Sequence, residues 1–124
     1  MQMERVDLSG LAVVTGYGEG AFRVAGKRYE GSLLVGGEVL HLWPVTDADA
    51  ITVESLAPLL ETAEPPDLIL FGTGRTARLL PRDVDRALRA RGIAVEAMDT
   101  GAACRTYSFL TMEGRRVAGA LIAL

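Results

Sequence analysis

Cysteine and histidine each occur once in this chain, as Cys104 and His41. A lone cysteine forms no internal disulfide, which suits a reducing cytoplasm. One thiol and one imidazole do not make a compact zinc site, so no metal or cofactor is expected. A Ser-His-Asp triad would have to recruit His41 from an extended run, and no G-x-S-x-G elbow is present to hold the serine. Aromatic residues make up only 6% of the chain and the net charge is −3, which argues against nucleic-acid binding. No apolar run approaches the roughly 20 residues that cross a bilayer, so integral membrane insertion is not expected. The opening "MQMERVDLSG" carries acidic residues and no long apolar stretch, so a signal peptide is not expected and the location read is cytoplasmic.

What is present suits a packed domain. A length of 124 residues with 49% hydrophobic content reads as one domain, 1–124, with material for a core. Charge is uneven: residues 1–64 carry 4 Lys/Arg against 10 Asp/Glu, residues 65–124 carry 9 against 6, and the halves are therefore −6 and +3. Arg75, Arg78, Arg82, Arg86, Arg89 and Arg91 crowd a short window. The favoured reading is a solvated helix face with a basic end. The sharper one is an electropositive site for an anion or an acidic partner.

The rhythm of the chain changes at its midpoint. "AFRVAGKRYEGSLLVGGEVLHLW" has three extended runs, broken at Ala25-Gly26 and Gly36-Gly37 as hairpins are, with Pro44 ending the third. An earlier strand is expected near Leu11–Val14. Leu56, Leu59 and Leu60 have helical spacing, with Ser55 or Thr52 as a cap, and Pro65-Pro66 stops that helix. Leu68 to Phe71 is a short buried strand. Pro81 to Arg91 is a helix, with Asp83 and Asp85 at its start, arginines at its end and Gly92 as cap. "IAVEAM" is the next strand. A helix runs from Asp99 or Thr100 to about Glu113, although Thr106, Tyr107 and Phe109 also suit a strand. "RRVAGALIAL" closes as a buried strand. The fold class expected is α/β: a central mixed, mostly parallel sheet flanked by helices, with an antiparallel hairpin portion added near the N-terminus.

The one loop that resembles a ligand motif follows the first buried strand. Gly72, Gly74 and Ala77 match G-x-G-x-x-A, and Glu96 stands where a ribose-binding acid would. In a dinucleotide fingerprint, however, the second glycine opens the helix, whose free N–H groups then meet the pyrophosphate. Here Pro81 marks the helix start, and the chain offers one βαβ unit rather than two. The loop reads as a glycine turn with an optional anion contact through its backbone, Arg75 and Thr76. His41 reads as an ordinary strand residue, Cys104 as a small buried residue and Asp99 as a helix cap rather than a base.

Several short stretches together carry a family resemblance. They are "GTG" at 72–74, "LLP" at 79–81, "GI" at 92–93, "MDT" at 98–100, "A-C-R-T-Y" at 103–107 and "EGRRV" at 113–117. "Y-x-G-S-L-L-V" at 29–35 and "W-P-V" at 43–45 add to them. The chain resembles the small-domain family that includes mitochondrial complex I assembly factor three and the adipogenesis-associated protein of animals. Ser108 departs from the Asn usual there. The resemblance implies a three-layer α/β fold, no established catalysis and no catalytic residue. It implies a protein-binding or assembly role, with respiratory complex assembly as the specific form. The alternative is a small-ligand or anion-binding domain. Its pocket would join Gly72, Thr73, Gly74, Arg75 and Thr76 to Asp99, Thr100, Arg105 and Tyr107. Protein partners are expected by resemblance, and the oligomeric state is left open.

Overall fold

A computed structural model describes residues 3–4 and 13–124. The signal-peptide reading and the Leu11–Ala12 part of the first expected strand lie outside the described residues. In chain order the elements are β1 (Met3–Glu4), β2 (Val14–Gly18), β3 (Ala21–Val24), β4 (Lys27–Glu30), β5 (Ser32–Gly36) and β6 (Val39–Trp43). There follow α1 (Ala57–Leu60), β7 (Leu68–Gly72), α2 (Arg82–Ala90), β8 (Ala94–Met98), α3 (Thr100–Met112) and β9 (Val117–Leu121).

Six strands form the central sheet in the order β1-β6-β5-β9-β7-β8. The joins among β9, β7 and β8 are parallel, and those among β1, β6, β5 and β9 are antiparallel. The sheet is mixed, with β6, β7, β8 and β9 running one way and β1 and β5 the other. β2, β3 and β4 make a separate antiparallel sheet. The hairpin at Ala25-Gly26 has φ of +50° and +78°, the paired positive values that match strand twist. The expected single run from Lys27 to Val35 is broken at Gly31, where φ is +93°. That turn sends β4 and β5 into different sheets, a change of layer that hydrophobic pattern alone does not reveal.

Continuous apolar runs appear in β5, β7 and β9 because both faces of the sheet are covered. Leu34, Ile69, Phe71, Ala118 and Ala120 pack on one side with Val84 and Leu88 of α2 and Leu56, Leu59 and Leu60 around α1. Leu33, Val35, Leu68, Leu70, Val117 and Leu121 pack on the other with Ala103, Cys104 and Tyr107 of α3, and with Phe22, Val24 and Tyr29 of the small sheet. The period of two along each strand thus sorts neighbouring residues into two cores.

Helix starts follow local chemistry. Thr52 and Ser55 bond reciprocally, Ser55 N donating to Thr52 Oγ1 at 3.1 Å and Thr52 N to Ser55 Oγ at 3.3 Å. They organise a 3₁₀ turn at Glu54–Leu56 that leads into the short α1. α2 has Pro81 as its N-cap, Asp83 and Asp85 in its first turn and an Arg89–Asp85 ion pair of 2.6 Å. Asp99 caps α3 by accepting from Ala102 N at 2.9 Å. The helix-or-strand ambiguity around Thr106–Phe109 resolves as helix, because Thr100, Ala103, Cys104 and Tyr107 then share one buried face.

Candidate functional site

Parallel β7 and β8 end level with each other, Gly72 opposite Met98, so the loops that follow them lie side by side. They touch without a gap. A Cβ on Gly72 would meet Thr100 Cα and Oγ1 at 3.0 Å each and Leu121 Cδ2 at 3.2 Å. Thr100, with no solvent exposure, ties three segments together. Its Oγ1 donates to Ile122 O at 2.8 Å and accepts from Gly74 N at 2.9 Å, while its N–H donates to Gly74 O at 2.8 Å. Thr73 N donates to Met98 O at 2.9 Å. Thr73 Oγ1 accepts from Arg78 N at 2.9 Å and shares its proton between the carbonyls of Thr76 at 2.8 Å and Met98 at 3.1 Å.

The structure therefore brings Gly72, Thr73, Gly74, Asp99 and Thr100 together, and the polar atoms of the two threonines are spent on joining the loops. Arg75 and Thr76 point outward and are exposed. The N–H groups of Arg75, Thr76 and Ala77 make no hydrogen bond to any described residue. The Asp99 carboxylate is engaged as the α3 cap. Arg105 turns away and donates from Nη1 to Tyr17 Oη at 2.7 Å. Tyr107 is buried in the core beneath α3, two turns beyond Thr100. α2 begins at Arg82, well past Gly74, so its N-terminus does not adjoin the glycine loop as a dinucleotide site requires.

The single thiol and the single imidazole sit in structural positions. Burial pushes the Cys104 thiol up to about 12, outweighing the Arg105 cation that favours thiolate, and Asp99 adds to the rise. A thiol held protonated in this way is not a nucleophile. His41 is buried in β6, its Nδ1 2.9 Å from Leu42 O. The Tyr107 hydroxyl is likewise pushed up to about 12 by burial, partly offset by the neighbouring Thr111. Among the described residues no group of His, Cys, Asp and Glu is placed to hold a metal ion, and no helix is long and apolar enough to cross a membrane.

The other end of the sheet is different. A cavity of about 600 Å³ opens between the β5–β6 turn, the segment after α1, and the α3–β9 connection. Tyr107, Thr62, Thr111 and Arg115 line it. Apart from Tyr107, sequence reasoning did not assign these residues to a site. "EGRRV" marked part of the wall, but no spacing links Thr62 to Thr111.

A family model described as "Protein of unknown function (DUF498/DUF598)" matches residues 14–122. An uncharacterised protein of Rhodobacter capsulatus is 38% identical over 114 residues, covering 92% of this chain and 86% of that protein. The mouse NADH dehydrogenase [ubiquinone] 1 alpha subcomplex assembly factor 3 is 36% identical over 110 residues, covering 88% of this chain. The match spans 59% of the length of that assembly factor. Among solved structures, one described as an outer membrane protein from Bartonella henselae superposes with a TM-score of 0.85 at 32% identity, covering 92% of this chain and 96% of that one.

Proposed function

This chain belongs to the DUF498/DUF598 family, and we propose that it acts as a protein-binding assembly factor rather than as a catalyst. The observation that carries the reading is on α3. Phe109 and Met112, one turn apart, are 62% and 65% exposed on the face turned away from the core. Large apolar side chains paired on an outer helix face suit a protein contact. The likeness to the mouse assembly factor supports the same reading, and the partner it suggests is a subunit of a respiratory NADH dehydrogenase. A cytoplasmic location belongs to the proposal, since the buried, unpaired Cys104 suits a reducing compartment.

The test is immunoprecipitation at native expression level, with native gels of the respiratory complex. The expected result is that the parent protein co-purifies with an NADH dehydrogenase subunit and the Phe109→Ser/Met112→Ser variant does not, at unchanged melting temperature. Recovery of no such subunit by the parent, or equal recovery by the variant, overturns the proposal.

A second reading is anion capture at Gly72–Thr76 beside Asp99–Tyr107. It is favoured by the consecutive free N–H groups of Arg75, Thr76 and Ala77 next to the exposed Arg75 guanidinium. Phosphate would then raise the melting temperature of the parent but not of Arg75→Ala. No shift in the parent rules this reading out.

A further inference from the structure

The cavity at the end of the sheet opposite the joined loops has walls of two kinds. Val39, Leu59, Pro66 and Ala118 give it an apolar side. Thr62 and Thr111 face it from the segment after α1 and from the last turn of α3. The Oγ1 atoms of both are shielded from solvent and complete no hydrogen bond with any described residue. Thr111 lies beside the Tyr107 hydroxyl and partly offsets the rise that burial imposes on it. Shielded hydroxyls without partners destabilise a fold, so their presence together on one cavity wall calls for a reason.

Charge at the mouth is also uneven. Arg116 is held by Asp67 at 3.0 Å and Glu64 at 3.8 Å. Arg115, its neighbour, lines the cavity and has no side-chain partner among the described residues. Glu38, on the β5–β6 turn, lines the cavity and is equally unpartnered. A ligand in this space meets the Arg115 cation, the Glu38 carboxylate, two hydroxyls and an apolar wall. The volume falls within the range of small-molecule sites, roughly 300–1,000 Å³.

We propose that this cavity binds a small monocarboxylate with an aliphatic or aromatic body. Its carboxylate pairs with Arg115, whose planar fork matches two oxygens. The Thr62 and Thr111 hydroxyls supply donors along the wall. The body of the ligand lies on Val39, Leu59 and Ala118. Glu38 opposes a second negative charge, so a dicarboxylate of equal length binds more weakly.

The experiment is a titration of the full chain with butanoate, octanoate, dodecanoate and phenylacetate, followed by amide NMR and calorimetry. Suberate and 1-octanol serve as the dianionic and uncharged controls. At least one monocarboxylate should bind saturably, with shifts centred on Thr62, Thr111 and Ala118. Arg115→Ala should weaken that acid by at least about five-fold and leave 1-octanol unchanged. Glu38→Gln should raise the affinity for suberate. Thr62→Val/Thr111→Val should weaken the acid while leaving the melting temperature of the unliganded protein unchanged or higher. No saturable binding of any of the acids overturns the proposal. So does a smaller loss in Arg115→Ala, or a valine variant that melts lower and binds as the parent does.

Discussion

The two ends of the central sheet are built on opposite plans. At the end where β7 and β8 finish, Thr73 and Thr100 spend their hydroxyls on backbone groups of the facing loops and leave no space between them. At the end where β7 and β9 begin, Thr62 and Thr111 leave theirs without a hydrogen-bond partner among the described residues, around a cavity of about 600 Å³. The residue type is the same, and what differs is that one pair of hydroxyls bonds to backbone and the other pair does not. Open α/β sheets tend to bind ligands beyond the carboxyl ends of their strands. In this chain that end is stitched shut around Gly72, and the larger space lies behind.

The comparison can be broken from the stitched side first. Thr100→Val should be the most damaging change, costing about 3 kcal/mol in urea unfolding, because it strands Gly74 N and Ile122 O in a buried site. Loss of less than about 1 kcal/mol would mean that the loops are held by packing alone. Gly72→Ala should cost about 2 kcal/mol, since the Thr100 Cα facing the new methyl is backbone and does not swing aside. A neutral outcome by the same measurement would mean that the loops separate easily.

Alkaline pH tests the core beneath α3, which separates the two ends. Cys104 titrates at about 12 in the folded protein against 9.0 for the ordinary thiol. A raised acid binds its proton more tightly when folded, so its contribution is complete below pH 9 and is lost as pH rises toward 12. Each pH unit in that window should lower stability by about 1.4 kcal/mol, and Cys104→Ala should flatten the slope. An unchanged slope in the alanine variant would show that another group carries the effect; Tyr107, also raised to about 12, is the one to examine next. The smallest change is expected at the cavity end. Thr62→Val should leave unfolding within about 0.5 kcal/mol of the parent, or raise it slightly. A clear loss would show that the hydroxyl has a structural partner after all.

Much of the fold was legible because its signals are local. Pro44 ends β6, Asp99 caps α3, and the unbroken apolar runs of β7 and β9 announce a sheet covered on both faces, whereas α1 already stops at Leu60, ahead of Pro65-Pro66. The layer change at Gly31 was not legible, since a glycine in an extended run does not say which sheet the chain joins next. The meeting of Gly72–Gly74 with Asp99–Thr100 followed from the βαβ topology. Its closure did not, because a hydroxyl that bridges two loops and one that faces a ligand have the same sequence. Arg105 and Tyr107 were grouped with that loop by proximity in the chain, yet helical rotation sends one to Tyr17 and the other into the core. The walls of the cavity come from three distant segments and share no spacing.

β9 has a consequence for how the protein is made. Among the described residues it is the only element pairing the β1-β6-β5 half of the sheet to the β7-β8 half, with Leu33 opposite Leu121 on one side and Leu68 opposite Val117 on the other. During synthesis the acidic first half and the basic second half emerge from the ribosome as fragments with unsatisfied strand edges. Neither can join the other's sheet until residues 117–121 have left the exit tunnel. Such late, long-range closure slows folding and exposes edges meanwhile. The nascent chain is therefore most vulnerable to aggregation, and most in need of chaperone cover, until β9 slots into the middle.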